Sequence, residues 1–284
     1  MWNRLRQTIR IGQLVAGVTG LTLGLLLNVF SNWLSGPGQT WLPLIATAFA
    51  LALLVSGWLW LRMPDRIMLN LAQPRTLRTE TEQHAQARRG LVAFVSLYRP
   101  GIQSPAKSLK SDEWGRAAAN GNYQTLDLPN SNLRPTIEAI ATHASRLEHC
   151  WLIGTTAQDA HIAGSAAYID ALVAHLQQER DIHCVFHHGS DYSVPLDDDA
   201  LVFGKTLQMM QKIFDEAKNV GLADPDLIAD FTNGIRSMSL GMILSCLDRE
   251  RDIEMIGTHY DANGDYTGQL FPIIFSFEPV IRNS

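Results

Sequence analysis

Two hydrophobic regimes divide the chain. Residues 11–61 contain no Asp, Glu, Lys, Arg or His, although charged residues make up 18% of the whole sequence. A bilayer core takes about 20 apolar residues per helical span, so the stretch suffices for two, and Ser35-Gly36-Pro37-Gly38 breaks it near its middle. The pattern predicts a transmembrane hairpin with spans at about 11–30 and 42–61. The spans are helical because hydrocarbon offers no water to satisfy backbone N–H and C=O groups.

Beyond residue 62 the pattern changes. Residues 63–89 are polar with an early amphipathic portion and read as a juxtamembrane linker. Short, continuously apolar runs follow at 91–98, 150–155, 182–188, 227–232, 253–261 and 271–277, and these predict strands, with a weaker strand at 123–128. Helices are expected between them. One starts from a cap at Ser131 or Asn132, with Pro135 in its first turn, and runs to about 149; the next covers 165–180. A long one opens at the aspartates 197–199 and stops at Gly221, and a last one covers 237–247. Asn263-Gly264 turns the final hairpin. The expected fold class is therefore α/β: a two-helix transmembrane hairpin (1–62), a linker (63–89) and a Rossmann-like domain (90–284) with a mostly parallel sheet and an antiparallel edge.

Arginine placement orients the hairpin. Arg4, Arg6 and Arg10 precede the first span, Arg62 and Arg66 follow the second, and the turn between has none, so both termini face the cytoplasm of a cell whose inner membrane the chain crosses twice. Trp33 and Trp41 flank the turn and Trp58 and Trp60 lie at the opposite interface. A cleaved signal peptide fits poorly, since its apolar core runs about 7–15 residues and no second span follows it. Gly17, Gly20 and Gly24 form a small-residue face of the kind that lets membrane helices approach closely.

Composition narrows the partners. A net charge of −5 argues against binding a DNA or RNA duplex. Cys150, Cys184 and Cys246 stand alone inside apolar runs, read as reduced thiols, and agree with a cytoplasmic domain; no zinc spacing is present.

In open parallel sheets ligands bind outside the carboxyl ends of the strands, which selects the segments leaving each strand. These are Ser96-Leu97-Tyr98-Arg99-Pro100-Gly101, Gly154-Thr155-Thr156, His187-His188-Gly189-Ser190 and Thr232-Asn233-Gly234-Ile235-Arg236-Ser237. The last is the most specific. Gly234 lets backbone approach a ligand, the helix that starts beside it exposes free N–H groups at its positive end, and Arg236 adds a fixed cation, which together describe a phosphate-binding corner.

The spacing Asp230-x-Thr232-x-x-x-Arg236, followed by Ser237-Met238-Ser239 and a helix, resembles the D-x-[ST]-x-x-x-[RK] signature of CARF domains, the CRISPR-associated Rossmann fold. The usual version reads close to D-x-T-G-G-T-K-x-M-S; this chain departs from it at Asn233, Ile235 and Arg236. The resemblance covers about residues 90–280 in layout and is specific only at 230–239. It implies a homodimer, or a higher assembly, that binds cyclic oligoadenylate, cyclic tetra-adenylate in preference to hexa-adenylate, through Ser96, Leu97, Tyr98, Arg99, Gly154, Thr155, Thr156, Thr232, Asn233, Gly234, Arg236, Ser237 and Met238. With the hairpin, the chain resembles a membrane effector of type III CRISPR defence: ligand binding would rearrange the helices and permeabilise the bilayer, with no catalytic residues and no cofactor. A membrane-anchored ring nuclease is the alternative in another class, and a membrane-tethered nucleotide enzyme of the ordinary Rossmann kind is a weaker one.

Other patterns have plainer readings. Gly204-Lys205-Thr206 lacks the upstream glycine of a P-loop, Asp199 standing in its place. Asp261-x-Asn263-x-Asp265 has Tyr266 and Pro272 where a calcium loop needs Gly and Glu. His183, His187 and His188 have no acidic partner in the sequence nearby to complete a metal site, and are read as strand and pocket residues. Arg78 and His84 have the spacing of an RNase pair without room for its domain.

Overall fold

A computed structural model describes residues 67–156, 164–196, 198–247 and 251–281. The predicted spans and their Gly face lie outside these residues. Among the described residues no helix is long and apolar enough to cross a membrane.

The strands are β1 (Ile67–Leu71), β2 (Arg75–Thr76), β3 (Gly90–Phe94), β4 (His149–Thr156), β5 (Val185–His187), β6 (Ser193–Pro195), β7 (Leu227–Asp230), β8 (Ile253–Tyr260), β9 (Tyr266–Phe275) and β10 (Phe277–Ile281). The α-helices are α1 (Glu80–Gln86), α2 (Ser111–Ala119), α3 (Tyr123–Leu126), α4 (Arg134–His143), α5 (Ile169–Glu179), α6 (Asp199–Asn219) and α7 (Arg236–Leu247). The main sheet runs β2-β9-β8-β7-β3-β4-β5, with β6 pairing to the far end of β4, while β1 and β10 pair with each other. Strands β8, β7, β3, β4 and β5 are parallel, and β9 returns antiparallel to β8. This is the α/β architecture with a mostly parallel sheet that the alternating pattern predicts.

Helices cover both faces because the central strands are apolar on both. On β3, Leu91 and Ala93 join the core beneath α2 to α5, whereas Val92 and Phe94 join a second core beneath α6 and α7. Every residue of β3 and β7 is buried, and each fully buried large aliphatic side chain stabilises the fold by about 1.5–3 kcal/mol. From β3 the chain winds outward through β4 to β5; it then crosses to β7 and winds the other way to β8. The sheet therefore changes winding direction between β3 and β7.

Local chemistry explains the helix ends. Asp198 caps α6 by accepting the Ala200 N–H at 2.7 Å, and Gly221 follows the helix at φ 83°. Before α4, the Ser131 hydroxyl oxygen accepts the Leu133 N–H at 3.1 Å and Pro135 sits in the first turn. The helix ends at His143, short of the expected 149.

One predicted strand is corrected. Residues 123–128 form helix α3 and the start of a 3-10 turn, not a strand. Asn122 accepts the Thr125 N–H at 3.2 Å, which caps a helical turn, and Tyr123, Leu126 and Leu128 are all buried at a spacing that alternation does not give. The stretch read as a linker carries β1, β2 and α1, with Thr79 and Glu82 forming a reciprocal cap on α1. Met68–Val280 is one compact unit.

Candidate functional site

The change of winding between β3 and β7 leaves a crevice at their carboxyl ends, the place where open α/β sheets hold ligands. Three of the sequence-derived segments leave neighbouring parallel strands there: 95–99 from β3, 154–156 on β4 and 231–236 from β7. His187 does not join them. It lies on the edge strand β5, stacked on Trp151 at 4.6 Å between ring centroids, with its Nε2 3.0 Å from His149 Nδ1. Burial pulls its pKa down. His188 pairs instead with Asp170 at 3.2 Å.

The corner at 230–236 is built from its first residue outward. Asp230 Oδ1 accepts the Thr232 amide at 2.8 Å and also the Thr232 hydroxyl, and Thr232 Oγ1 in turn accepts the Ile256 N–H at 2.7 Å. Asn233, 9% exposed, donates through Nδ2 to Thr136 Oγ1 at 2.5 Å and so ties the corner to α4. Gly234 has φ +150°, and a Cβ there would lie 2.9 Å from the Phe94 ring and 3.3 Å from Ser239 Oγ. Only glycine fits that approach. The Ser239 N–H donating to Ile235 O at 3.0 Å marks the first turn of α7.

Arg236 is exposed and makes no hydrogen bond or ion pair with another described residue, so its guanidinium is available at the positive end of a 12-residue helix. Ser237 donates to Asp199 Oδ1 at 3.2 Å, which joins α7 to the start of α6. Met238 is 1% exposed and belongs to the core beneath α6 and α7, pointing away from the crevice.

The β3 segment divides by side chain. Leu97 and Arg99 are exposed, and the backbone between them is pinned by Asn132, which accepts the Arg99 N–H at 2.6 Å and donates to Leu97 O at 2.8 Å. Ser96 is half-buried. Tyr98 is a core residue: its hydroxyl donates to Leu126 O, it stacks on Tyr168 at 5.3 Å, and burial and then the Asp127 charge push its phenol far above the ordinary value. On β4, a Cβ at Gly154 would meet the Ala166 backbone at 2.7 Å, and buried Thr155 trades hydrogen bonds with Ser165 at 2.8 and 3.1 Å. Thr156 alone of the three is exposed.

Of the thirteen sequence-derived residues, Leu97, Arg99, Thr156, Gly234 and Arg236 are exposed at or beyond these strand ends, and Thr232 and Ser237 are half-buried. Two guanidinium groups and a helix N-terminus suit an anionic, phosphate-bearing ligand. The remaining named residues frame it from within. Sequence reading passed over Thr136, His143 and Glu254, which pack behind the corner; the signal was there for Glu254, a lone charge inside the apolar run of β8, fully buried in the fold.

The plainer readings of the P-loop and calcium-loop patterns agree with the geometry, whereas the histidines are corrected: of the three only His187 lies on β5, and His183 and His188 each pair with an aspartate, Asp181 at 2.8 Å and Asp170 at 3.2 Å. Thr206 is buried inside α6 and donates to Val202 O at 2.8 Å, which a phosphate loop would not do. Asp261 Oδ1 accepts the Asn263 and Asp265 amides, each at 2.8 Å, closing a hairpin turn whose backbone donors hold its pKa low. The three cysteines are free thiols, and burial raises Cys184 and Cys246 to about 12. Among the described residues no cluster of His, Cys, Asp and Glu is arranged to hold a metal ion. No family model matches the chain, and no curated protein is found similar to it.

Proposed function

We propose that the chain is a ligand-gated membrane effector of the CARF type. Its cytoplasmic α/β unit senses cyclic oligoadenylate, cyclic tetra-adenylate before hexa-adenylate, and alters a membrane hairpin formed by residues 11–61. The observation that carries the reading is the corner at 230–236: an Asp230–Thr232 clamp, a glycine that admits close backbone approach, and an unengaged Arg236 opening α7 at the sheet's change of winding. Arg99 and Thr156, exposed on the neighbouring strands' ends, support a ligand with several phosphates. Leu240 (51% exposed) and Leu244 (43%) on α7, with Ile235 (38%), offer apolar surface next to the corner that suits a second copy and a ring shared across a two-fold axis.

Calorimetry on the full chain in detergent tests the sensing half: cyclic tetra-adenylate binds, and absence of binding by either ring size sinks the reading. Replacing Arg236 by Ala weakens binding by about 1.5–3 kcal/mol if the guanidinium makes a charge-assisted phosphate contact. Dye release from liposomes on adding ligand tests the output half. Chromatography of the ligand separates the effector from a ring nuclease, because rapid conversion to linear products identifies the enzyme.

A further inference from the structure

Asp230 and Glu254 are register partners on the adjacent parallel strands β7 and β8. Their side chains therefore leave the same face of the sheet across one strand spacing, about 4.8 Å. Both are completely shielded from solvent. Each uses one carboxyl oxygen: Asp230 Oδ1 accepts from Thr232, and Glu254 Oε1 lies 2.9 Å from His143 Nε2. Asp230 Oδ2 and Glu254 Oε2 are buried with no hydrogen bond to a described residue.

His143 does not neutralise the pair. Its Nδ1 accepts the Arg88 backbone N–H at 3.1 Å, which leaves the one ring proton on Nε2 and the ring uncharged. Among the described residues the other neighbours bring no cation either. Beta strand β3 presents Ala93 beside Asp230, α4 adds Thr136, and β4 adds the Cys150 thiol, held protonated by burial, by Cys184 and by Asp230 itself. The Arg88 guanidinium is taken by Asp252 at 2.6 Å. Two ionised carboxylates side by side without a cation repel strongly in a dry interior, and one proton on the pair relieves that repulsion.

We propose that Asp230 and Glu254 carry a single proton between them, and that this acid–carboxylate pair is a clasp holding the corner at 232–234 against β8 and α4. Burial first, and then the Glu254 charge, push Asp230 up to about 8, in the direction the geometry requires. Loss of the proton to a base in solution leaves two negative charges across one strand spacing. Three contacts then loosen together: Thr232 with Ile256, Asn233 with Thr136, and Glu254 with His143. The clasp sets how firmly the corner is formed whatever ligand it holds, so it stands apart from the CARF reading.

Hydrogen exchange on the full chain in detergent, read as protection factors for the Thr232 and Ile256 amides from about pH 6 to about pH 9, tests it. Protection in the wild type falls at least about tenfold over that range, and in Asp230→Asn, whose amide does not titrate, it stays level. Pair deprotonation is overturned if wild-type protection is level, or if Asp230→Asn falls as steeply as the wild type. Where Asp230→Asn fails to fold, the infrared band of a protonated carboxylic acid in the wild type decides. Its presence near neutral pH and loss at alkaline pH support the shared proton, and its absence at neutral pH overturns it.

Discussion

Gly234 shows how much of the corner rests on a missing side chain. With φ at +150° and the Phe94 ring 2.9 Å from where a Cβ would sit, Gly234→Ala strains the backbone and pushes the ring out of the core beneath α6 and α7. A loss of about 1–3 kcal/mol in unfolding free energy is expected, with ligand binding falling further than stability; denaturant titration beside calorimetry measures the two separately. Asp230 carries the opposite kind of dependence, on solution conditions. Its carboxyl moves from the ordinary 3.8 to about 8 on folding, so between those values the folded state holds a proton that the unfolded chain has released. The associated stability is complete below about 3.8 and is lost as pH rises toward about 8. Its slope is at most about 1.4 kcal/mol per pH unit. Thermal melts across about pH 5 to pH 8.5 check this: the wild-type Tm declines, and a decline of the same size in Asp230→Asn would contradict it.

At the scale of elements, α4 is fastened at both ends to the strands it covers. Thr136 in its first turn holds Asn233 and the last residue, His143, holds Glu254. Asn233→Ala removes one fastening and leaves a fully buried hydroxyl with a weak 3.5 Å contact to Phe94 O, at an expected cost of about 1–3 kcal/mol. Asp198→Ala, which deletes the cap of α6, costs about 0.5–2 kcal/mol and leaves the corner's fastening intact. The alternation of strands and helices was legible because parallel strands buried on both faces read as unbroken apolar runs, as 91–94 and 227–229 do. The fastenings were not legible. They depend on the register that sets Asp230 opposite Glu254 and on contacts spanning 97 and 111 residues, which no local pattern encodes. Strand β2 was hidden for a different reason: both of its residues, Arg75 and Thr76, are exposed, and it joins β9 through backbone pairing, which leaves no apolar signature.

For the whole molecule, the exposed leucines of α7 are where the proposed pairing of two copies is tested. Leu240→Glu with Leu244→Glu places charge on a surface that folding leaves open, so the fold is retained while any self-association through α7 weakens by at least about tenfold. Light scattering in detergent measures it, and an unchanged mass would remove α7 from the interface. Several of the residues named from the sequence are framework rather than surface: Thr155 by the alternation of its strand, Tyr98 in the loop that leaves β3, and Met238 on the core-facing side of α7. The crevice itself was located by the carboxyl-end rule once the strands were recognised. Pairing of β1 with β10 has a separate consequence. The unit Met68–Val280 starts and finishes on neighbouring strands, the spacing of which in a sheet is roughly 4.8 Å. Spliced into a surface loop of an unrelated host, such a unit would hold the host's flanking residues about as close as a hairpin does, so insertion should leave both folds intact, which circular dichroism of the fusion checks.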